Sequence, residues 1–224
     1  MEGAAMSSTI HRTEQNLKSS YSAAFTAASM MYREMTAIVP LLSDENASEL
    51  LKKEIEENNL LCINSLNSRK RVVSELQRRF DAVPKAFWEH YLQLGENAQR
   101  VALLYVILKT YQLLFDIHIC VTLNLWRSSS IEMHSSDVML YINELAAQDS
   151  FVDSWSESTR KKVVSVYILM LHQAGLIKNG SAELCIPDLS DSDWMYYIRI
   201  GEAWFLEACF LPTYRVNELK QQAK

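Results

Sequence analysis

Between Arg100 and Arg127 lies the run VALLYVILKTYQLLFDIHICVTLNLW. No other feature constrains the fold as much. An apolar stretch of this length either spans a bilayer or fills the centre of a core. Lys109, Gln112, Asp116, His118 and Asn124 fall inside it. Charges near the middle of a spanning helix are expensive. The run is therefore expected to form a pair of buried core helices, or one long bent helix.

The rest of the chain must pack around that centre. Only five Gly and four Pro occur in 224 residues, and Leu, Ala, Glu, Gln and Lys abound. Few breakers and many helix formers favour helices. Residues 1–20 read as a loose tail with no apolar signal segment. The pattern from Tyr21 to Leu42 reads as a helix carrying Phe25, Met30, Met31, Met35 and Ile38. A short amphipathic helix from Asn46 to Asn58 turns Leu50, Leu51 and Ile55 inward. Ser68 opens a helix to about Phe80, with Val72, Val73, Leu76 and Phe80 on one face. Pro84 suits the first turn of the next helix, which ends near Gly95. The polar RSSS at Arg127–Ser130 marks the expected domain boundary.

The second half repeats this order. Ser136 to Gln148 reads as a helix with Val138, Leu140, Tyr141 and Leu145 as its apolar surface. Ser154-Trp-Ser-Glu157 matches a capping box. The helix that follows reaches about Ala174. Its Val163, Val166, Tyr167, Met170, Leu171 and Ala174 form one continuous face. Gly175 stands where a helix C-terminus favours a left-handed residue. Asn179-Gly180 between short β-capable runs signals a hairpin. Helix, turn, helix and hairpin is the order of a winged helix-turn-helix, whose second helix is the one suited to a major groove.

The expected fold is therefore mainly α. Residues 1–20 form a flexible tail, and 21–128 a helical domain, a bundle containing a helix-turn-helix. Residues 129–224 form a winged-helix-like unit with a short β-hairpin.

Two stretches nearly match: SRKRVVS at Ser68–Ser74 and TRKKVVS at Thr159–Ser165. Each sets three cations at a helix N-terminus, where positive charge is locally unfavourable. Leu60-Leu61 before the first falls in register with Phe151-Val152 before the second. From Ser158 to Ala182 there is no acid, whereas Ser128 to Glu157 holds six acids and no Lys or Arg. The net charge of −5 confines any nucleic-acid site to a local patch. Phosphate contact is the functional reading: Lys and Arg, with Ser hydroxyls and helix amides, reach the backbone of a duplex. The candidates are Arg69, Lys70 and Arg71 in the first unit. In the second they are Ser158, Arg160, Lys161, Lys162, Ser165 and Lys178. The competing reading pairs these cations with neighbours such as Glu157 or Asp153, for solubility.

Catalytic signatures are missing. The scattered glycines write neither a P-loop nor a Rossmann fingerprint, and there is no G-x-S-x-G or H-E-x-x-H. His134 and Asp137 suit a capping or ion-pair contact. Pro187-Asp188 begins like a nuclease motif that no acidic-x-Lys completes. Asp188, Asp191 and Asp193 are read as preparing a helix N-terminus. Cys62, Cys120, Cys185 and Cys209 form no C-x-x-C pair and are expected to be reduced and mostly buried. Trp194, Tyr197, Trp204, Phe205 and Phe210 are expected in the core, or on a partner surface. No enzyme activity, cofactor, metal or membrane is expected, and the features together suggest a soluble cytoplasmic protein.

Five segments carry a resemblance: YSAAFTAAS, NLLCINSLNSRKRVVSEL, ALLYVILKTYQLLFD, SWSESTRKKVVSVYILMLHQAGLI and EAWFLEACFLP. In this order, over roughly Tyr21 to Pro212, they resemble the BrxA family of bacterial BREX phage-defence systems. The resemblance implies a small cytoplasmic, mostly helical, non-catalytic accessory protein that binds double-stranded DNA. It also implies a core similar to the antitermination factor NusB. Its implied company is a DNA methyltransferase, a large ATPase, a phosphatase-like protein and, in many systems, a Lon-like protease. An interaction scaffold for such BREX proteins is the alternative, and RNA binding a third reading.

Overall fold

The computed structural model describes residues 19–128 and 131–223. Most of the tail expected at 1–20, and Ser129 and Ser130 of the expected boundary, lie outside the described residues. Helices α1 (Tyr32–Leu42), α2 (Ala47–Glu57), α3 (Leu66–Phe80) and α4 (Lys85–Tyr91) precede the long apolar run. That run folds as α5 (Glu96–Thr110) and α6 (Gln112–Ile117), a π-helical turn (His118–Thr122) and α7 (Leu123–Arg127). Then come α8 (Ser135–Ala146), α9 (Ser150–Asp153), α10 (Glu157–Gln173), α11 (Asp191–Arg199), α12 (Trp204–Ala208) and α13 (Thr213–Gln222).

Helix α5 is buried around its circumference, with every residue from Val101 to Leu108 in the core. A helix apolar on all sides belongs at the centre of a bundle. The chain bends by 112° between α5 and the segment from Gln112 to Arg127, as the run's polar residues suggested. Tyr111 makes the corner in an extended conformation. Its ring meets Phe25 edge-on, and its hydroxyl donates to Glu75. Among the described residues no single helix is long and apolar enough to cross a membrane. The buried cluster draws residues from both sides of the boundary expected at Arg127–Ser130.

A buried polar contact joins the bent run to the second half. His118 is fully enclosed. The Tyr167 hydroxyl on α10 lies 2.9 Å from its Nδ1, and the Ala208 carbonyl accepts from its Nε2 at 2.8 Å. The Thr122 hydroxyl lies 2.6 Å from that of Tyr167. Burial pushes the imidazole down to about 4, so the neutral ring is the form the fold holds. Phe210 stacks on His118, Trp194, Tyr197 and Phe205 are in the core as well, and Trp204 is half-buried.

Several expectations need correction. The helix expected from Tyr21 to Leu42 is broken: a 3-10 turn at Ala24–Ala27 precedes α1, with Ser29 and Met31 at positive φ. The cause is Arg79, fully buried, whose Nη2 and Nη1 donate to the Ser29 and Met30 carbonyls at 2.8 Å each. A continuous helix would have used those carbonyls internally. The cap of α10 is Ser156 and not Ser154, whose hydroxyl instead donates to Phe151. On α8, Leu140 points to solvent at 62 % exposure, while Ile142 takes the core position. Of the cysteines, all free, only Cys209 is buried.

The hairpin expected around Asn179-Gly180 is a turn without strands. Gly180 has φ 71°, and Ser181 donates to the Lys178 carbonyl. Only isolated antiparallel bridges follow, Ile177 with Leu184 and Glu132 with Glu183. No strand forms among the described residues, because the chain leaves the ladder after a single pair on each side. Elsewhere the expected local chemistry is present. Gly175 has φ 74° after α10. His134 and Asp137 form a capping box on α8, and Ser190 and Asp193 form one on α11.

Candidate nucleic-acid interface

The first unit consists of α2, a turn and α3. The Ser65 hydroxyl caps α3 by accepting from the Ser68 amide. Two buried charged side chains hold the turn. Glu54 accepts from the amides of Asn59, Leu60 and Leu61 at 3.2, 2.9 and 2.9 Å. Arg69 donates from Nε to the Ile55 carbonyl at 2.6 Å, and from Nη1 to those of Ile63 and Asn64 at 2.7 and 3.3 Å. These contacts spend the guanidinium inside the protein, so Arg69 is not presented to solvent as the sequence reading had it.

Lys70 and Arg71 face outward, and neither has an ion-pair partner among the described residues. No acid occupies the first turn of α3 to offset them. Arg78, two turns beyond Arg71, is the exposed cation on this face that the sequence reading left out of the site. Between α3 and the 3-10 turn lies a groove of about 390 Å³. Ala24, Ala27, Ala28 and Val72 supply its apolar wall, Lys70, Arg71 and Arg78 its cations, and Glu75, 3.9 Å from Arg78, an acid among them.

The second unit consists of α8, α9 and α10. Asp149 accepts from the amides of Phe151 and Val152 to start α9, and Ser156 accepts from Thr159 to start α10. Arg160 is also engaged within its own unit, although its buried Nε has no hydrogen-bond partner among the described residues. Its Nη1 donates to Asn143 Oδ1 on α8 at 3.1 Å. Its Nη2 donates to the Asp153 carbonyl at 2.9 Å and carboxylate at 3.2 Å.

The inner face of α10 is the continuous one expected, with Val163, Val166, Tyr167, Met170, Leu171 and Ala174 all buried. Val164 is buried as well. Ser158, Lys161, Lys162, Ser165 and Leu169 form the opposite, exposed face. Lys161 pairs with Glu157 at 2.6 Å. That contact holds the Glu157 carboxyl below its usual range through a hydrogen bond and charge attraction. Both partners are exposed, and such pairs are weak and screened by salt, so the lysine can exchange to another anion. Lys162 has no ion-pair partner among the described residues. The Ser158 hydroxyl lies 2.8 Å from that of Ser156, and Ser165 donates to the Lys162 carbonyl. Lys178 is paired with Glu183 in the turn after α10. Exposed ammonium groups and hydroxyls along one helix face are a donor set suited to phosphate oxygens. Among the described residues, no group of three or more His, Cys, Asp or Glu side chains is placed to hold a metal ion.

Sequence reasoning missed that the leading arginine of each triplet is consumed internally. It also missed Leu169, an exposed apolar residue in line with the cations. The inner-face spacing was the signal for Leu169, because residues off that face must point outward.

A family model described as BrxA matches residues 19–192. A protein of Bacillus cereus (strain H3081.97) named "BREX protein BrxA" is 22% identical over 190 residues, covering 84% of this chain and 94% of the relative. The crystal structure of an uncharacterized protein from Magnetospirillum magneticum superposes with a TM-score of 0.71 at 21% identity. It covers 85% of this chain and 98% of that one, and shows a shared fold.

Proposed function

The chain belongs to the BrxA family, and from that premise we propose that it is a non-catalytic DNA-binding component of a BREX phage-defence system. It grips duplex DNA mainly through phosphates, with 21–128 and 129–224 each contributing one helix-turn-helix unit and the turn after α10 standing in the place of a wing. The carrying observation is the outward face of α10. Lys161 and Lys162, flanked by Ser158 and Ser165, are exposed on a helix whose other face is locked into the core. The net charge of −5 limits duplex contact to such local patches.

Reversing both lysines (Lys161→Glu with Lys162→Glu) is expected to weaken binding to unrelated duplexes alike, by on the order of tenfold or more. A gel shift on several duplexes checks this, and an unchanged shift overturns the assignment. One observation favours a second reading, a scaffold for other BREX proteins: the groove beside α3 has an apolar wall that duplex DNA does not need. Co-purification with the methyltransferase or ATPase, without DNA retention at moderate salt, favours the scaffold.

A further inference from the structure

Ser65 and Ser156 cap their helices in the same way, Leu61 and Val152 are the buried residues of the two turns, and Leu51 and Ile142 are buried on the helices before them. Each pair is separated by the same 91 positions. Leu60 and Phe151, one residue before the buried pair, are both exposed. Arg69 and Arg160 keep this register, and their tasks are alike although their acceptors are not register-matched. Each reaches back from the first turn of the second helix to a carbonyl in the segment between the two helices, Ile63 for Arg69 and Asp153 at the end of α9 for Arg160. Each also reaches the last turns of the helix before it, Arg69 at the Ile55 carbonyl and Arg160 at the Asn143 side chain. Arg160 differs in pairing with the Asp153 carboxylate and in having a buried Nε without a hydrogen-bond partner among the described residues. Neighbours differ in type, Glu54 holding the first turn and Asp149 the second, yet the arginine recurs.

We infer that Arg69 and Arg160 are positioning residues, equivalent clamps that fix the angle of α3 and α10 in two copies of one helix-turn-helix unit. Contact with a polyanion then falls to the pairs beside them, Lys70 with Arg71 and Lys161 with Lys162. A planar fork of donors at fixed angles suits several carbonyls at once, and a lysine ammonium cannot reproduce it. This answers why cations stand at two helix N-termini, where the dipole disfavours them. The first cation of each run is held by oxygen atoms of its own unit, carbonyls around Arg69 and the Asp153 carbonyl and carboxylate around Arg160, so only two of the three are fully presented to solvent. The division of labour rests on the DNA-binding reading; the clamp itself does not.

The test compares Arg160→Lys, Arg160→Gln, Arg69→Lys and Arg69→Gln with the double variant Lys161→Gln, Lys162→Gln. One readout is amide hydrogen exchange in the turns at 58–64 and 149–156. The other is the salt slope of binding to a random duplex of about 20 base pairs. Both lysine and glutamine substitutions of a clamp are expected to speed exchange in its own turn by about tenfold while leaving the salt slope unchanged. The double variant is expected to do the reverse, lowering the slope by about two with exchange unchanged. If Arg160→Lys exchanges like the wild type while Arg160→Gln lowers the slope, Arg160 is a phosphate contact and the inference is overturned. Unchanged exchange in all four arginine variants overturns it equally. Should the buried Arg69 variants fail to fold, the more exposed Arg160 still decides. A wild type that binds no duplex removes the proposed function, while the exchange data continue to judge the clamp.

Discussion

Arg79 shows how a cation in a basic run can serve the core. It is fully buried, donates to Glu75 at 2.8 Å and to two carbonyls, and lies 5.9 Å from the centre of the Tyr111 ring. Truncating one member of a buried ion pair leaves the other charge uncompensated. Arg79→Ala is therefore expected to cost about 3–5 kcal/mol in urea unfolding. Burial lowers His118 from 6.5 to about 4, so the unfolded chain takes up its proton first as the pH falls. Its contribution is complete above the unfolded value and is lost as the pH falls through the folded one. Between pH 7 and pH 4.5 the wild type should lose roughly 2–3 kcal/mol more stability than His118→Gln. Equal losses in urea unfolding at the two pH values would contradict the neutral buried ring. Neither residue's role was legible in the sequence. The carbonyls around Arg79 come from the segment before α1, and those around Arg69 from the end of α2 and the turn after it, so local spacing marks neither arginine as internal, and Arg69 was expected at a phosphate.

At the level of elements, local chemistry was readable wherever one stretch of chain decides the outcome. The inner face of α10, the left-handed Gly175 and the capping pair His134 and Asp137 follow from spacing and residue type alone. Misreadings arose where two caps competed or a distant group intervened. Ser154 and Ser156 both precede an apolar run, and only the fold shows that Ser154 closes α9 while Ser156 opens α10. Ser156→Ala is expected to cost about 1 kcal/mol and Ser154→Ala less, by thermal or urea unfolding. The turn after α10 has the right glycine, but its flanks pair at single residues instead of building a ladder.

For the whole molecule, the apolar run sets the architecture: α5 fills the centre, and the 112° bend after it returns the chain through the core to meet α10. The two clamped units lie in the halves of the chain on either side of that run, with their cations outward. What sequence alone left open was which charges remain free once turns and core have taken theirs. Of the nine proposed contact residues, Arg69 and Arg160 are engaged internally and Lys178 is paired with Glu183, while Lys70, Arg71 and Lys162 have no ion-pair partner among the described residues. The measurement closest to the central claim is the salt dependence of wild-type affinity for duplexes of unrelated sequence. Phosphate binding predicts a straight fall of log K with log salt, of similar slope for every duplex, at about 0.9 per phosphate contacted. An affinity that ignores salt, or that appears on one sequence alone, would contradict it.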